Sequence, residues 1–101
     1  MSNHEYELIL SPLAEEDFAD ILQYTFETWN KSQVLIYRSI LDKALTTIKK
    51  NPGIGTLKPE LSHKHRIFLA GQHIVIYYYT ENTVMISRIL HKRMDYTQHL
   101  D

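Results

Sequence analysis

The side chains with the clearest capacity for chemistry stand where the last apolar segment of the chain ends. We call this mixed group the C-terminal cluster, and its members are His91, Lys92, Arg93, Met94 and Asp95. Guanidinium and ammonium groups pair with anionic groups, while a flexible thioether adds apolar contact. A cluster of this composition either binds the surface of a partner or only keeps a chain end in solution.

Further basic and imidazole groups stand outside the cluster, namely Arg66, His73, Arg88 and His99. If the last three apolar segments form one antiparallel sheet, Arg66 opens the first strand and the C-terminal cluster closes the third. The first and third strands then run in the same direction, which puts Arg66 and Arg93 at opposite ends of the sheet unless loops bring them together. The spacing alone therefore does not define a joint site.

The remaining candidate groups favour structural roles over catalysis. Glu15, Glu16 and Asp17 are adjacent and point in different directions on a helix, which indicates a solvated helix start and not an acid–base pair. His63 and His65 have no third ligand nearby, so we expect a basic loop there and no metal ion. The sequence contains no phosphate-binding or hydrolase motif, and none of its patterns implies a cofactor.

Length and composition favour an ordinary globular protein. The chain has 101 residues, of which 44% are hydrophobic and 23% charged, and we expect one domain over residues 1–101. The absence of cysteine excludes disulfides and thiolate metal sites, and it suits a reducing compartment. The sequence shows no secretory signal, and no apolar run approaches the roughly 20 residues that span a bilayer. We therefore expect a cytoplasmic protein that does not enter a membrane.

Charge is distributed unevenly, although the formal net charge is only −1. Residues 1–30 carry seven acidic residues and no Lys or Arg, whereas residues 31–101 carry eleven basic residues and five acidic ones. This asymmetry favours an acidic partner for the basic part of the chain. The alternative is that the two parts neutralise each other in the folded protein.

The first half of the sequence predicts a strand and two helices. Alternation over residues 6–10 indicates a strand, and Ser11 followed by Pro12 indicates the start of a helix of about 16 to 18 residues. Asn30 is the expected cap of a second helix that ends near Lys50. The apolar face of the first helix is expected to contain Ala14, Phe18, Ile21, Leu22, Thr25, Phe26 and Trp29.

The second half of the sequence predicts strands. Residues 51–65 hold two of the three glycines and two of the three prolines, which indicates a loop. Residues 66–91 are rich in Ile, Val and Tyr, with breaks at 70–72 and 81–82, and they predict three antiparallel strands. The element order predicts an α+β fold, in which a helical hairpin packs on an antiparallel sheet and a short tail follows.

Several of these segments also resemble one known family. The first helix, with Ser11, Pro12, Ala14, Asp17, Ile21, Tyr24 and Trp29, is similar to the first helix of ParE toxins. The segments "NPGIGTLKPEL", "RIFLAGQHIVIYYY" and "ILHKRMD" resemble the loop, the hairpin and the final strand of that family, in the right order. The sequence is thus identified as a member of the ParE branch of the RelE/ParE superfamily.

The resemblance implies the toxin of a type II toxin–antitoxin module. Such a toxin poisons DNA gyrase and blocks replication, so it meets nucleic acid only through gyrase and needs no catalytic residue of its own. The resemblance also implies a ParD-like antitoxin, whose flexible C-terminal segment folds as it wraps the toxin. We expect the target contacts in the C-terminal cluster, with Arg93 first.

Two other functions are compatible with the same superfamily. RelE-like members cleave mRNA on the ribosome with basic and imidazole or phenol groups. Alignment with them places Arg66, His73, Arg93 and His99 at the positions of their working residues. The near-neutral net charge argues against a ribosome binder. In the other alternative, the protein binds an antitoxin without being toxic.

The C-terminal cluster also has a purely structural interpretation. In that case Arg93 pairs with an acid of the first helix, His91 is a buried imidazole, and Met94 packs against the helices. Both roles are compatible in one cluster.

Overall fold

The computed structural model describes residues 5–98. These residues form β1 (Glu7–Leu10), α1 (Pro12–Thr28), α2 (Lys31–Lys50), β2 (Thr56–Leu57), β3 (Arg66–Ala70), β4 (His73–Tyr79) and β5 (Thr83–His91). Short 3-10 turns follow α2 and β5, at Pro52–Ile54 and Tyr96–Gln98. The two helices pack on one face of a five-stranded sheet, which confirms the predicted α+β class.

The first and last strands are neighbours in the sheet, whose order is β1-β5-β4-β3-β2. β1 runs parallel to β5, with Leu8 opposite Val84 and Leu10 opposite Ile86, whereas the other pairs are antiparallel. The segment predicted as a loop contains the two-residue strand β2, which pairs with the start of β3. The sheet is therefore mixed, and its antiparallel core is the predicted three-stranded unit.

Local capping sets the helix boundaries. Ser11 Oγ accepts a hydrogen bond from the N–H of Ala14 at 3.0 Å, and Pro12 occupies the first turn, where its missing N–H costs no helical bond. Asn30 Oδ1 accepts from the N–H of Gln33 at 3.0 Å and begins α2 directly after α1 ends. These caps lie where the sequence predicted them, because each depends on residues close in the chain.

The main core lies between the helices and the sheet. Its buried side chains include Leu41 and Ile48 of α2 and Val75, Tyr77, Val84, Ile86 and Ile89 of the central strands. The prediction for the end of α1 is wrong, since Phe26 is 55% exposed and Trp29, which follows the last helical residue, is 69% exposed. The buried residues of α1 are Ala14 and Ile21, so its final turn presents aromatic side chains to solvent.

The opposite side of the sheet, which we call the outer face, is also partly covered. Ile74, Ile76 and Leu90 are buried there, beneath Leu61, Ile67 and Tyr96. Tyr78 lies on this face as well, with the Lys64 ammonium 4.2 Å from its ring centre. Alternation along β4 places Tyr77, which belongs to the main core, on the face opposite Tyr78. In the described part of the chain, neither helix has the length and apolarity needed to cross a membrane.

Candidate functional site

Two histidines face each other at the end of the sheet that carries the C-terminal cluster. His73 begins β4 directly opposite His91, the last residue of β5, and their ring centres are 5.3 Å apart. The Tyr37 hydroxyl of α2 lies 2.5 Å from Nδ1 of His73 and accepts a hydrogen bond from the N–H of Gln72 at 2.9 Å. A helix side chain therefore fixes both the imidazole and the turn that precedes it.

His73 is held in its neutral form. Burial lowers the pKa of His73 from 6.5 to about 4, and the neighbouring His91 adds to the effect, while the charge of Asp17 acts in the opposite direction. An imidazole with this pKa is uncharged at neutral pH. His73 therefore adds no positive charge to this end of the sheet at neutral pH.

An ion pair joins α1 to the same end of β5. The guanidinium of Arg88 donates to both carboxylate oxygens of Asp17, at 2.8 and 2.9 Å. One of these oxygens also accepts the backbone N–H of Ile89 at 3.0 Å. The interpretation of Asp17 as part of a solvated helix start is thus wrong. Its position between the buried residues Ala14 and Ile21 on one helix face was the available sequence signal.

A groove forms beside this ion pair because β1 is short. β1 ends opposite Ile86. Within residues 5–98, the remaining residues of β5 have no strand neighbour on that side, and α1 covers them instead. The groove measures about 440 Å³, and its lining combines apolar residues with carboxylates and imidazoles: Asp17, Asp20, Ile21, Tyr24, His73, Arg88, Ile89, Leu90, His91 and Met94. Like many binding sites, it is concave and mainly apolar with a few polar groups. It is also contiguous with the C-terminal cluster, because Met94 lines it.

The C-terminal cluster forms a turn directly after β5. The N–H of Lys92 donates to the carbonyl of Gln72 at 2.9 Å, and the N–H of Met94 donates to the carbonyl of His91 at 3.0 Å. His91 is half-buried and its Nδ1 accepts the N–H of Arg93 at 3.1 Å. The other four members of the cluster are exposed, and Met94 also lines the groove. Arg88, not Arg93, is the arginine that pairs with an acid of α1.

The four residues aligned with RelE-like nucleases are not all at one place. His73 and Arg93 lie at the same end of the sheet, whereas Arg66 begins β3, four residues or about 13 Å from the end that meets His73. The Arg66 guanidinium donates to the carbonyls of Gly53 and Gly55, at 3.2 and 2.7 Å, and so supports the loop after α2. His99 lies outside the described residues.

The other histidine pair belongs to a loop. Ser62 Oγ lies 2.7 Å from Nδ1 of His65, and the His65 ring packs edge-on against Tyr78. Over residues 5–98, no group of three His, Cys, Asp or Glu side chains is arranged to hold a metal ion. Contacts of His65 within its own loop indicate a structural role.

A second candidate surface is the exposed apolar face of α2. Leu35, Ile36 and Ile40 project from this helix and are 62%, 53% and 36% exposed. Beside it, β2 pairs only with Arg66 and Ile67. On the side of β2, the rest of β3 is an open edge among the described residues, and Leu69 on it is 61% exposed. An exposed apolar helix face next to an open edge is typical of a protein interface.

The fold is shared by proteins of known structure. A chromosomal ParDE TA system from P. aeruginosa superimposes with a TM-score of 0.74 at 13% identity, covering 88% of this chain and 98% of that chain. The YoeB dimer from Staphylococcus aureus gives a TM-score of 0.59 at 21% identity, covering 86% and 97%. At these identities the likeness concerns the fold alone, and it defines the class as an α+β fold with two helices packed on one face of a mixed sheet.

Sequence comparison identifies the family within this class. The family model described as "ParE toxin of type II toxin-antitoxin system, parDE" matches residues 8–96. Toxin ParE1 of Mycobacterium tuberculosis (strain CDC 1551 / Oshkosh) is 33% identical over 93 residues, which cover 91% of this chain and 95% of the relative. Toxin ParE1 of Caulobacter vibrioides is 32% identical over 91 residues, covering 90% and 94%. The chain belongs to the ParE family of type II toxins, as its sequence pattern predicted.

Proposed function

We propose that this protein blocks replication by binding DNA gyrase, and that the C-terminal cluster forms the contact surface. The observation that carries the proposal is the exposure of Lys92, Arg93, Met94 and Asp95 in a hydrogen-bonded turn beside the groove. The cluster offers a guanidinium and an ammonium for anionic groups and a thioether for apolar contact. Gyrase is the target that the resemblance to ParE toxins implies.

This mode of action needs binding and no chemical step. The toxin would act in the cytoplasm, meet DNA only through gyrase, and require neither a cofactor nor a catalytic residue. Arg93 is the first expected contact, because a guanidinium gives planar, two-point pairing with carboxylates or phosphates. His91 would support the turn from below, since its half-buried ring already accepts the N–H of Arg93.

Neutralisation by a ParD-like antitoxin forms the second part of the proposal. The exposed face of α2 suits the apolar side of an amphipathic antitoxin helix, and the open edge of β3 suits an added strand. Lys31 and Lys43 flank the apolar residues of this face, and both are exposed. They favour an acidic antitoxin segment, consistent with the excess of basic residues beyond residue 30.

RNA cleavage of the RelE type remains the alternative, and one observation favours it. His73 and His91 stand together at the groove with Arg93 nearby, which is a plausible acid–base arrangement. The position of Arg66 at the other end of β3 speaks against a four-residue site that includes it. We therefore rank gyrase inhibition first.

The test is expression of the chain in bacteria without an antitoxin. At the onset of growth arrest, the same culture is assayed for gyrase-linked DNA breaks and for mRNA cleaved on ribosomes. DNA breaks with intact mRNA would support the proposal, whereas cleaved mRNA with intact DNA would replace it with the nuclease. The absence of arrest would favour an antitoxin-binding protein without toxicity.

A matched pair of arginine variants locates the surface. Arg93→Ala should weaken binding to purified gyrase about tenfold or more, since truncating a charged contact at an interface costs about 2 kcal/mol. Arg38→Ala removes a guanidinium that is 62% exposed on α2 and should leave gyrase binding unchanged. Equal effects of the two changes would contradict a specific role for the cluster.

A further inference from the structure

The chain does not leave the protein after the C-terminal cluster but returns across the outer face of the sheet. Tyr96 packs there against the buried residues Ile74, Ile76 and Leu90. Its hydroxyl donates a hydrogen bond to Oε2 of Glu60 at 2.7 Å. The phenol therefore connects the C-terminal tail to the loop between β2 and β3, which lies 36 residues earlier in the sequence.

The turn that holds the C-terminal cluster is attached to the rest of the protein at both of its ends. At its start, the N–H of Lys92 is fixed to the carbonyl of Gln72 at 2.9 Å. At its end, Asp95 Oδ1 accepts hydrogen bonds from the N–H and the hydroxyl of Thr97, at 3.2 and 2.6 Å, and so shapes the 3-10 turn that presents Tyr96 to the sheet. Arg93 and Met94 project between the two attachment points.

We propose that Tyr96 is a positioning residue for the C-terminal cluster. Its packing on the outer face and its bond to Glu60 hold the turn in the conformation that meets the target. An exposed segment that is ordered before binding loses less conformational entropy when the complex forms. Removing the distal attachment would leave residues 92–95 as a frayed strand end, and the cluster would then bind more weakly although its own side chains are intact.

This inference rests on the proposed function only for its binding readout. Amide hydrogen exchange of residues 92–98 is measured on the free protein, and affinities for purified gyrase and for a ParD-like antitoxin are measured in parallel. Tyr96→Ala removes both the packing and the bond, whereas Tyr96→Phe removes the bond alone. Glu60→Gln keeps an acceptor oxygen for the phenol, and Glu16→Gln is the control for a lost carboxylate elsewhere on the surface.

Tyr96→Ala should accelerate exchange in this segment about tenfold and weaken gyrase binding about tenfold, while Tyr96→Phe has an effect of about threefold. Glu60→Gln should stay within about twofold of the unchanged protein, like Glu16→Gln. Antitoxin affinity should not change, because the proposed antitoxin surface lies on α2 and β3. A loss of affinity for gyrase but not for the antitoxin distinguishes a positioning role of Tyr96 from general destabilisation of the fold.

Two results would overturn the inference. Unchanged exchange in Tyr96→Ala would mean that the tyrosine does not order the turn, and an equal loss of gyrase and antitoxin affinity would mean that it only stabilises the fold. If the unchanged protein does not bind gyrase, the proposed function fails. The exchange rates alone then decide whether Tyr96 orders the cluster.

Discussion

The Asp17 carboxylate of α1 pairs with the Arg88 guanidinium beside the part of β5 that β1 does not reach. It accepts hydrogen bonds from Nε and Nη2 of Arg88, at 2.8 and 2.9 Å, and from the N–H of Ile89 at 3.0 Å. The two side chains are only 13% and 16% exposed. Because β1 ends before this part of β5, the contact satisfies a backbone donor that would otherwise lack a partner.

The first prediction concerns this contact. Asp17→Ala should lower the free energy of unfolding by about 2–4 kcal/mol, because it removes the carboxylate that accepts two hydrogen bonds from a largely buried guanidinium and one from a backbone N–H. The loss is measured by urea denaturation. Asp42→Ala is the control, since the Arg38–Asp42 pair is exposed at 62% and 55% and should contribute less than about 1 kcal/mol. Equal losses would show that Asp17 acts as an ordinary surface carboxylate.

A second prediction concerns the pH dependence of stability. Burial lowers the pKa of His73 to about 4, below the ordinary 6.5, so the unfolded chain binds a proton more readily than the folded protein. Above about pH 6.5, His73 does not lower the free energy of unfolding. As the pH falls from there towards about 4, protonation of the unfolded chain lowers this free energy progressively. His73→Gln should flatten this part of the curve of urea midpoint against pH. His63→Gln, at an exposed position, should keep the slope.

The turn between β3 and β4 provides the third prediction. Gly71 has a φ of 63°, and a Cβ placed there would lie 2.9 Å from the Tyr37 hydroxyl. Gly71→Ala should cost about 1–2 kcal/mol from the left-handed backbone alone, and more from displacement of Tyr37. Gly53→Ala is the matched control, because its nearest contact would be 3.7 Å, and thermal denaturation compares the two. A smaller effect at Gly71 than at Gly53 would contradict the described turn.

The fourth prediction separates the two proposed partner surfaces. Ile36→Glu introduces a charge into the exposed apolar face of α2 and should weaken antitoxin binding more than about tenfold while leaving gyrase binding intact. Ala19→Glu adds the same charge at an exposed position of α1, away from the apolar face of α2, and should have little effect. Arg93→Ala should show the reverse preference. Affinities measured by calorimetry test all three variants. An equal loss of affinity for both partners would show that the two partners bind one common surface.

The parts of the fold that were predicted correctly from sequence are those that depend on residues close together in the chain. The helix caps at Ser11 and Asn30 and the three strands of the antiparallel core have local signals, so their positions follow from spacing and residue type. Pairing of β1 with β5 joins segments that are far apart in the chain, and no local pattern specifies it. β2 has only two residues, too few for a periodic signal.

The candidate site was predicted less completely, for the same physical reason. The C-terminal cluster was recognisable because its members are consecutive and the family resemblance covers them. The Asp17–Arg88 ion pair spans 71 residues and depends on how α1 crosses the end of β5. Tyr37 could not be assigned to His73 from spacing, since the contact requires the packing of α2 on the β3–β4 turn.

The position of β1 at the edge of the sheet, beside β5, also has a consequence for protein synthesis. β1 is synthesised before the helices and before strands β2 to β4, whereas every strand residue it pairs with lies in Thr83–His91, which is synthesised after all of them. During translation, the helical hairpin can form from local contacts, while β1 must wait for β5 before it gains a sheet partner. The complete sheet therefore forms only after β5 has been synthesised, and products of translation interrupted before β5 lack both the completed sheet and the surface beside it.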